Sequence, residues 1–146
     1  MKTRKTILAI DDIIPCLTMT KQILEDRYDV YLAKSIDSAM IILKIAKIDM
    51  ILLDIEMPGM SGLDFLNFLQ SPPRQNDIPV IFITSYATRD IFIKAMKSGA
   101  RDFLVKPVSP ANLREKIEMA FDEKPIGEVD RDHLIKGLMT LSGIQR

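Results

Sequence analysis

Five short, mostly apolar segments alternate with five helix-like stretches, and this alternation confines the chain to few folds. The strand-like segments are residues 6–10, 29–33, 50–54, 80–84 and 101–105. Short apolar runs bounded by turn signals read as strands buried on both faces. Between them, helices are expected at about 13–26, 36–47, 62–69, 89–98 and 110–121. The second carries Ile36, Ala39, Met40, Leu43 and Ala46 at helical spacing. Ser35 suits its N-cap, Asp12 the N-cap of the first helix with Pro15 tolerated in the first turn, and Ser109-Pro110 the start of the fifth. Leu63, Leu66 and Leu69 form a candidate inward stripe on the third helix, which Ser71-Pro72-Pro73 ends. Gly99 suits the position after the fourth. Such alternation argues for parallel βαβ units with right-handed crossovers, an α/β fold.

The ends of these strands carry the chemistry. Asp11-Asp12 follows the first, Asp54 ends the third, Thr84 the fourth and Lys106 follows the fifth. Open α/β sheets bind ligands at the carboxyl edge of their strands, so these side chains converge on a predicted phosphate and metal site. Three carboxylates crowded there repel. Two charges ~4 Å apart at an effective dielectric near 20 interact by roughly 4 kcal/mol. The site therefore needs a cation or a proton. A hard divalent ion such as magnesium fits an oxygen-rich site, and no His or Cys cluster offers zinc a home. Taken singly, each residue has a plainer reading. Asp11 caps a helix, Asp54 forms a turn, Thr84 is a β-branched strand residue, Lys106 is a solvated charge and Phe103 is core.

Composition narrows the class. At 146 residues the chain suits one domain, and 20 basic residues balance 20 acidic ones. That balance points to neither nucleic acid nor membrane as a main partner. Cys16 is the single cysteine, which fits a reducing cytoplasm and a packing role on the first helix. No apolar stretch reaches membrane-spanning length. From Asp122 the composition shifts, and residues 122–146 read as a linker and a short C-terminal helix, with Asp130 as its cap and Leu134, Leu138 and Leu141 at helical spacing.

Asp11-Asp12, Asp54 with Met57-Pro58-Gly59-Met60-Ser61-Gly62, Thr84-Ser85 and Lys106-Pro107 together resemble the receiver domain of bacterial two-component response regulators. The resemblance assigns residues 1–121 to a receiver domain. It implies a doubly wound, flavodoxin-like five-stranded parallel sheet of order 2-1-3-4-5. It implies that Asp54 accepts a phosphoryl group from a sensor histidine kinase or phosphotransfer protein in a magnesium-dependent reaction. Asp11 and Asp12 would hold the magnesium, with Asp54 and the backbone carbonyl of Glu56 as further ligands. Thr84 and Lys106 would contact the phosphoryl group, and Phe103 stands where the family has its switch aromatic. The implied output surface is helix four, strand five and helix five, where Arg89, Lys94, Lys97 and Lys116 could lie.

The chemistry is consistent with that family. A carboxylate is a competent nucleophile toward phosphorus, and phosphoryl transfer needs mainly placement and charge neutralisation. When Thr84 moves toward a new phosphoryl group, the gap could admit Phe103 from an exposed rotamer to a buried one. Beyond accepting and losing its own phosphoryl group, the chain is not expected to act as an enzyme. Two other functions stay open from sequence. One is a magnesium phosphatase in which Glu56, two residues after Asp54, serves as the second acid. The other is an adaptor that does not depend on phosphorylation. A homodimer is a further possibility through residues 122–146.

Overall fold

The structure, a computed structural model, describes residues 4–71 and 77–122. Strands β1 (Thr6–Ile10), β2 (Asp29–Ala33), β3 (Met50–Leu53), β4 (Val80–Thr84) and β5 (Asp102–Val105) form one sheet in the order β2-β1-β3-β4-β5. All neighbours are parallel. Helices α1 (Ile14–Leu24), α2 (Ile36–Ile45), α3 (Gly62–Gln70) and α4 (Arg89–Lys97) connect them, and α5 (Pro110–Asp122) follows β5. This is the expected doubly wound arrangement. Ile10 pairs with Ala33 on one side and Leu53 on the other, and Thr84 pairs with Val105. The carboxyl ends of the strands therefore share one edge. Strand order reverses between β1 and β3, which opens a crevice at that edge.

Strand side chains alternate between the two faces, and both faces are covered. Ile7, Ala9, Met50, Leu52, Ile81 and Leu104 pack under α1 and α5, against Leu17, Leu24, Leu113 and Ile117. Leu8, Ile10, Ile51, Leu53, Phe82 and Phe103 pack under α2, α3 and α4, against Ala39, Phe65, Leu66 and Phe92. Phe65 is fully buried, and burial of one such side chain stabilises by about 1.5–3 kcal/mol. The inward stripe of α3 is therefore Phe65, Leu66 and Leu69, with Leu63 half-buried.

Helix ends follow local chemistry, with one correction. Ser35 Oγ accepts the Ser38 N–H, Ser61 Oγ the Asp64 N–H, Thr88 Oγ1 the Ile91 N–H and Ser109 Oγ the Asn112 N–H. Each such cap contributes about 1 kcal/mol. Asp12, expected to cap α1, does not: Ile13 is the N-cap and no side chain caps it. Asp11 Oδ1 takes the Ile13 N–H instead, at 2.9 Å. After α4, Gly99 at φ 100° lets its own N–H reach Met96 O and the Ala100 N–H reach Ala95 O, closing the helix. Pro72 and Pro73, and the segment beyond Asp122 with its leucines, lie outside the described residues. Among the described residues no helix is long and apolar enough to cross a membrane.

Candidate functional site

The sheet ladder sets up the site. The Asp54 N–H donates to Ile10 O at 3.0 Å, the Asp11 N–H to Ala33 O at 3.0 Å, and the Lys106 N–H to Thr84 O at 2.9 Å. Each residue is thus held one step past its strand, with its side chain at the shared edge. Asp11 and Asp54 are buried, Asp12 is exposed, and one carboxylate oxygen from each lies within 4.8 Å of the others. Lys106 reaches in from the end of β5. Its Nζ donates to Asp11 Oδ2 at 2.6 Å and to Asp54 Oδ2 at 3.2 Å. The second oxygen of Asp54 accepts the Glu56 N–H at 3.1 Å. The structure thus brings Asp11, Asp12, Asp54 and Lys106 together. Glu56 enters through its backbone while its side chain is exposed.

Three carboxylates against one ammonium leave the cluster net negative. Burial pushes the Asp54 carboxyl above its ordinary pKa; the Glu56 N–H and Lys106 pull the other way, and the Asp11 charge raises it again. For Lys106, burial favours the neutral amine, but the hydrogen bond it donates to Asp11 and the charges of Asp11 and Asp54 outweigh it and hold its pKa above the ordinary value. Ionising Asp54 is therefore costly without added positive charge. Clustered hard oxygen donors around a negative centre fit a magnesium-type ion. Among the described residues, no other acidic or His/Cys group offers such a cluster.

Thr84 is fully buried at the end of β4, and its Oγ1 accepts the Tyr86 N–H at 3.2 Å. Phe103 departs from expectation. It is 5 % exposed, already inside the core. Its ring lies 6.3 Å from Phe82 and 5.6 Å, edge-on, from Phe92 of α4. Aromatic pairs at such separations contribute beyond simple burial, so the inward rotamer is satisfied without any phosphoryl group. On the expected output surface, Arg89, Lys94 and Lys97 are exposed. Lys116 is half-buried and donates to Asp102 at 3.3 Å, so it is a structural ion pair. Cys16 is half-buried, not a core residue.

One residue of the motif has a positioning role that the sequence did not reveal. Gly62 opens α3 and its N–H donates to Ile55 O at 2.8 Å. A Cβ there would lie 2.4 Å from Asp54 O and 2.8 Å from Ile55 Cα. Only glycine lets the start of α3 close over the backbone that presents Asp54. The signal was available as a glycine directly after the Ser61 cap, but sequence cannot show what lies opposite.

Comparison with known proteins identifies the family. The response regulator receiver domain model matches residues 7–118. The cyclic di-GMP phosphodiesterase response regulator RpfG of Xanthomonas campestris is 36% identical over 113 residues, covering 75% of this chain and 30% of that protein. The chemotaxis protein CheY of Pseudomonas aeruginosa is 33% identical over 118 residues, covering 80% of this chain and 95% of that protein. The CheY-like receiver domain from Methanospirillum hungatei superposes with a TM-score of 0.75 at 30% identity, covering 82% of this chain and 95% of that one. Held by a doubly wound sheet and read over most of its length by the same family model, this chain belongs to the response regulator receiver domain family.

Proposed function

We propose that Asp54 is a phosphoryl acceptor and that the chain is a phosphorylation-controlled signalling switch. The observation that carries this reading is the Asp54 carboxylate, 5 % exposed at a strand end, with one oxygen on the Lys106 ammonium. A carboxylate oxygen of Asp54 attacks phosphorus. The bond from phosphorus to the donor's imidazole nitrogen breaks, and that nitrogen leaves with the electron pair. No general base is needed, because Asp54 must be ionised to attack. Asp11 and Asp12, with Asp54 and the Glu56 carbonyl, would hold a magnesium ion, which would supply positive charge to the phosphoryl oxygens. Lys106 neutralises the charge that develops, from a position its bonds to Asp11 and Asp54 already define.

Thr84 is the relay in this reading. Its hydroxyl turns from the Tyr86 N–H to a phosphoryl oxygen and draws the segment before α4 with it. Phe103, packed on Phe92 of α4, transmits that shift without an outward-to-inward flip. The size of the response is bounded by the difference in phosphoryl contacts between the two states. Residues 1–121 are assigned to the receiver. The donor is a sensor histidine kinase or phosphotransfer protein in the cytoplasm. The output partner docks on α4, β5 and α5. The phosphatase alternative loses support because Glu56 offers its backbone and not its carboxylate to the site.

The test is phosphoryl incorporation from a small phosphodonor with and without magnesium, in wild type and Asp54→Asn. The reading predicts magnesium-dependent labelling that the variant abolishes. Sustained turnover of phosphorylated metabolites would support the phosphatase instead.

A further inference from the structure

A cleft of about 310 Å³ runs from the acidic site into the space between α1 and α5. Ala9, Leu52 and Ile83 of the sheet form its floor, with Leu17 and Ile23 of α1 and Leu113 of α5 as walls. Asp11, Asp54 and Lys106 line it at the strand-end side. Ile13 and Met19, on its rim, are 46% and 57% exposed. Cavities of about 150 Å³ already take up benzene when lined by apolar groups, and pockets of roughly 300 Å³ and more hold small organic ligands. The volume here accommodates an aromatic ring with a short chain.

Charge decides the class of occupant. The lining carries two carboxylates and one ammonium, and the Asp12 carboxylate lies within 4.8 Å of both acids. The apolar body thus ends on a net negative group. An anionic head would meet Asp11 and Asp54; a cationic one would share their oxygens with the Lys106 ammonium, and three carboxylates still outnumber two cations. We propose that this cleft binds a small arylalkylamine or similar apolar molecule with an ammonium head, the head resting on the Asp11 and Asp54 carboxylates. Bound there, the ammonium displaces a divalent cation from the acids and holds the domain in its unphosphorylated state. The binding half stands on the cleft alone; the displacement half rests on the metal reading of the acidic cluster.

The experiment is a titration of the full chain at neutral pH in EDTA, followed by amide chemical shifts. Three probes share one body: 4-phenylbutylamine, 4-phenylbutanol and 4-phenylbutyrate. The expected result is saturable binding of the amine with shifts at Leu17, Ile23 and Val108. It should bind about tenfold tighter than the alcohol, the size of one charge-assisted contact, with the carboxylate weakest. Magnesium should lower the apparent affinity for the amine alone. Cys16→Phe, which places a ring at the cleft lining, should weaken the amine at least tenfold while leaving magnesium affinity unchanged. Absence of saturable shifts in the wild-type chain overturns the proposal, as does equal affinity for amine and alcohol. If magnesium binds but leaves the amine unaffected, the displacement half is refuted. If magnesium does not bind at all, the metal reading fails while the amine–alcohol difference still decides the cleft.

Discussion

Replacing Lys106 with methionine keeps most of the side-chain length and removes the charge. In the native structure that ammonium donates to Asp11 at 2.6 Å and to Asp54 at 3.2 Å. The three side chains are 12%, 10% and 6% exposed. Removing one partner of a buried pair costs about 3–5 kcal/mol, because the remaining charge keeps its desolvation penalty without its counterion. Here the edge position admits some water, so the lower end applies, about 3 kcal/mol in metal-free buffer. With a urea m-value of about 2 kcal/mol/M, the unfolding midpoint should fall by about 1.5 M. Urea melts in EDTA and in excess magnesium measure this. Magnesium should recover much of the loss, since a divalent ion replaces the missing charge, and the variant should bind magnesium more tightly than wild type. A Lys106→Met midpoint equal to wild type in EDTA, or a loss that magnesium does not touch, would refute the electrostatic argument.

Other consequences can be checked on the same protein. Asp54 has a folded pKa above its unfolded value, so its favourable contribution is complete below the ordinary carboxylate pKa and is lost as pH rises through the folded value. Ionised Asp54 therefore destabilises the metal-free fold at neutral pH. Asp54→Asn should raise the melting temperature there, and the gain should vanish in acid; equal melting temperatures at neutral pH would contradict it. Gly62→Ala forces a methyl into backbone 2.4 Å away. It should cost about 1–3 kcal/mol by urea melt and slow phosphoryl acceptance; unchanged stability would show that the contact relaxes without strain. Phe103→Ala should cost about 3–5 kcal/mol, the usual range for emptying a buried aromatic position. Phe103→Leu should keep the fold but weaken the coupling to α4, seen as smaller amide shifts in α4 on adding a beryllium fluoride mimic.

The parts of the fold legible in sequence are those that rest on period and punctuation. Met50 to Leu53 has no polar residue, and only a strand covered on both faces tolerates that. Asp54 could be placed at a strand end because the apolar run stops there. The features that were not legible depend on objects far apart in the chain. Asp12 reads as a cap locally, but Asp11 takes the Ile13 N–H and leaves Asp12 beside Asp54. Phe103 could be assigned to a position, but its rotamer depends on Phe92 and Phe82, which the sheet and α4 bring to it. Lys116 reads as a surface charge until β5 supplies Asp102. Gly62 carries no sign of the Asp54 carbonyl facing it. Periodicity places elements; the neighbours across the sheet decide what each side chain does.

The most direct measurement is intact-mass and peptide mapping of the chain after exposure to a small phosphodonor. With magnesium, one phosphoryl group should appear on the peptide that contains Asp54, stable in acid and released by base, and chelation of the metal should prevent it. Equal labelling of the Asp54→Asn variant, or incorporation at another residue indifferent to magnesium, would contradict the role assigned to this carboxylate.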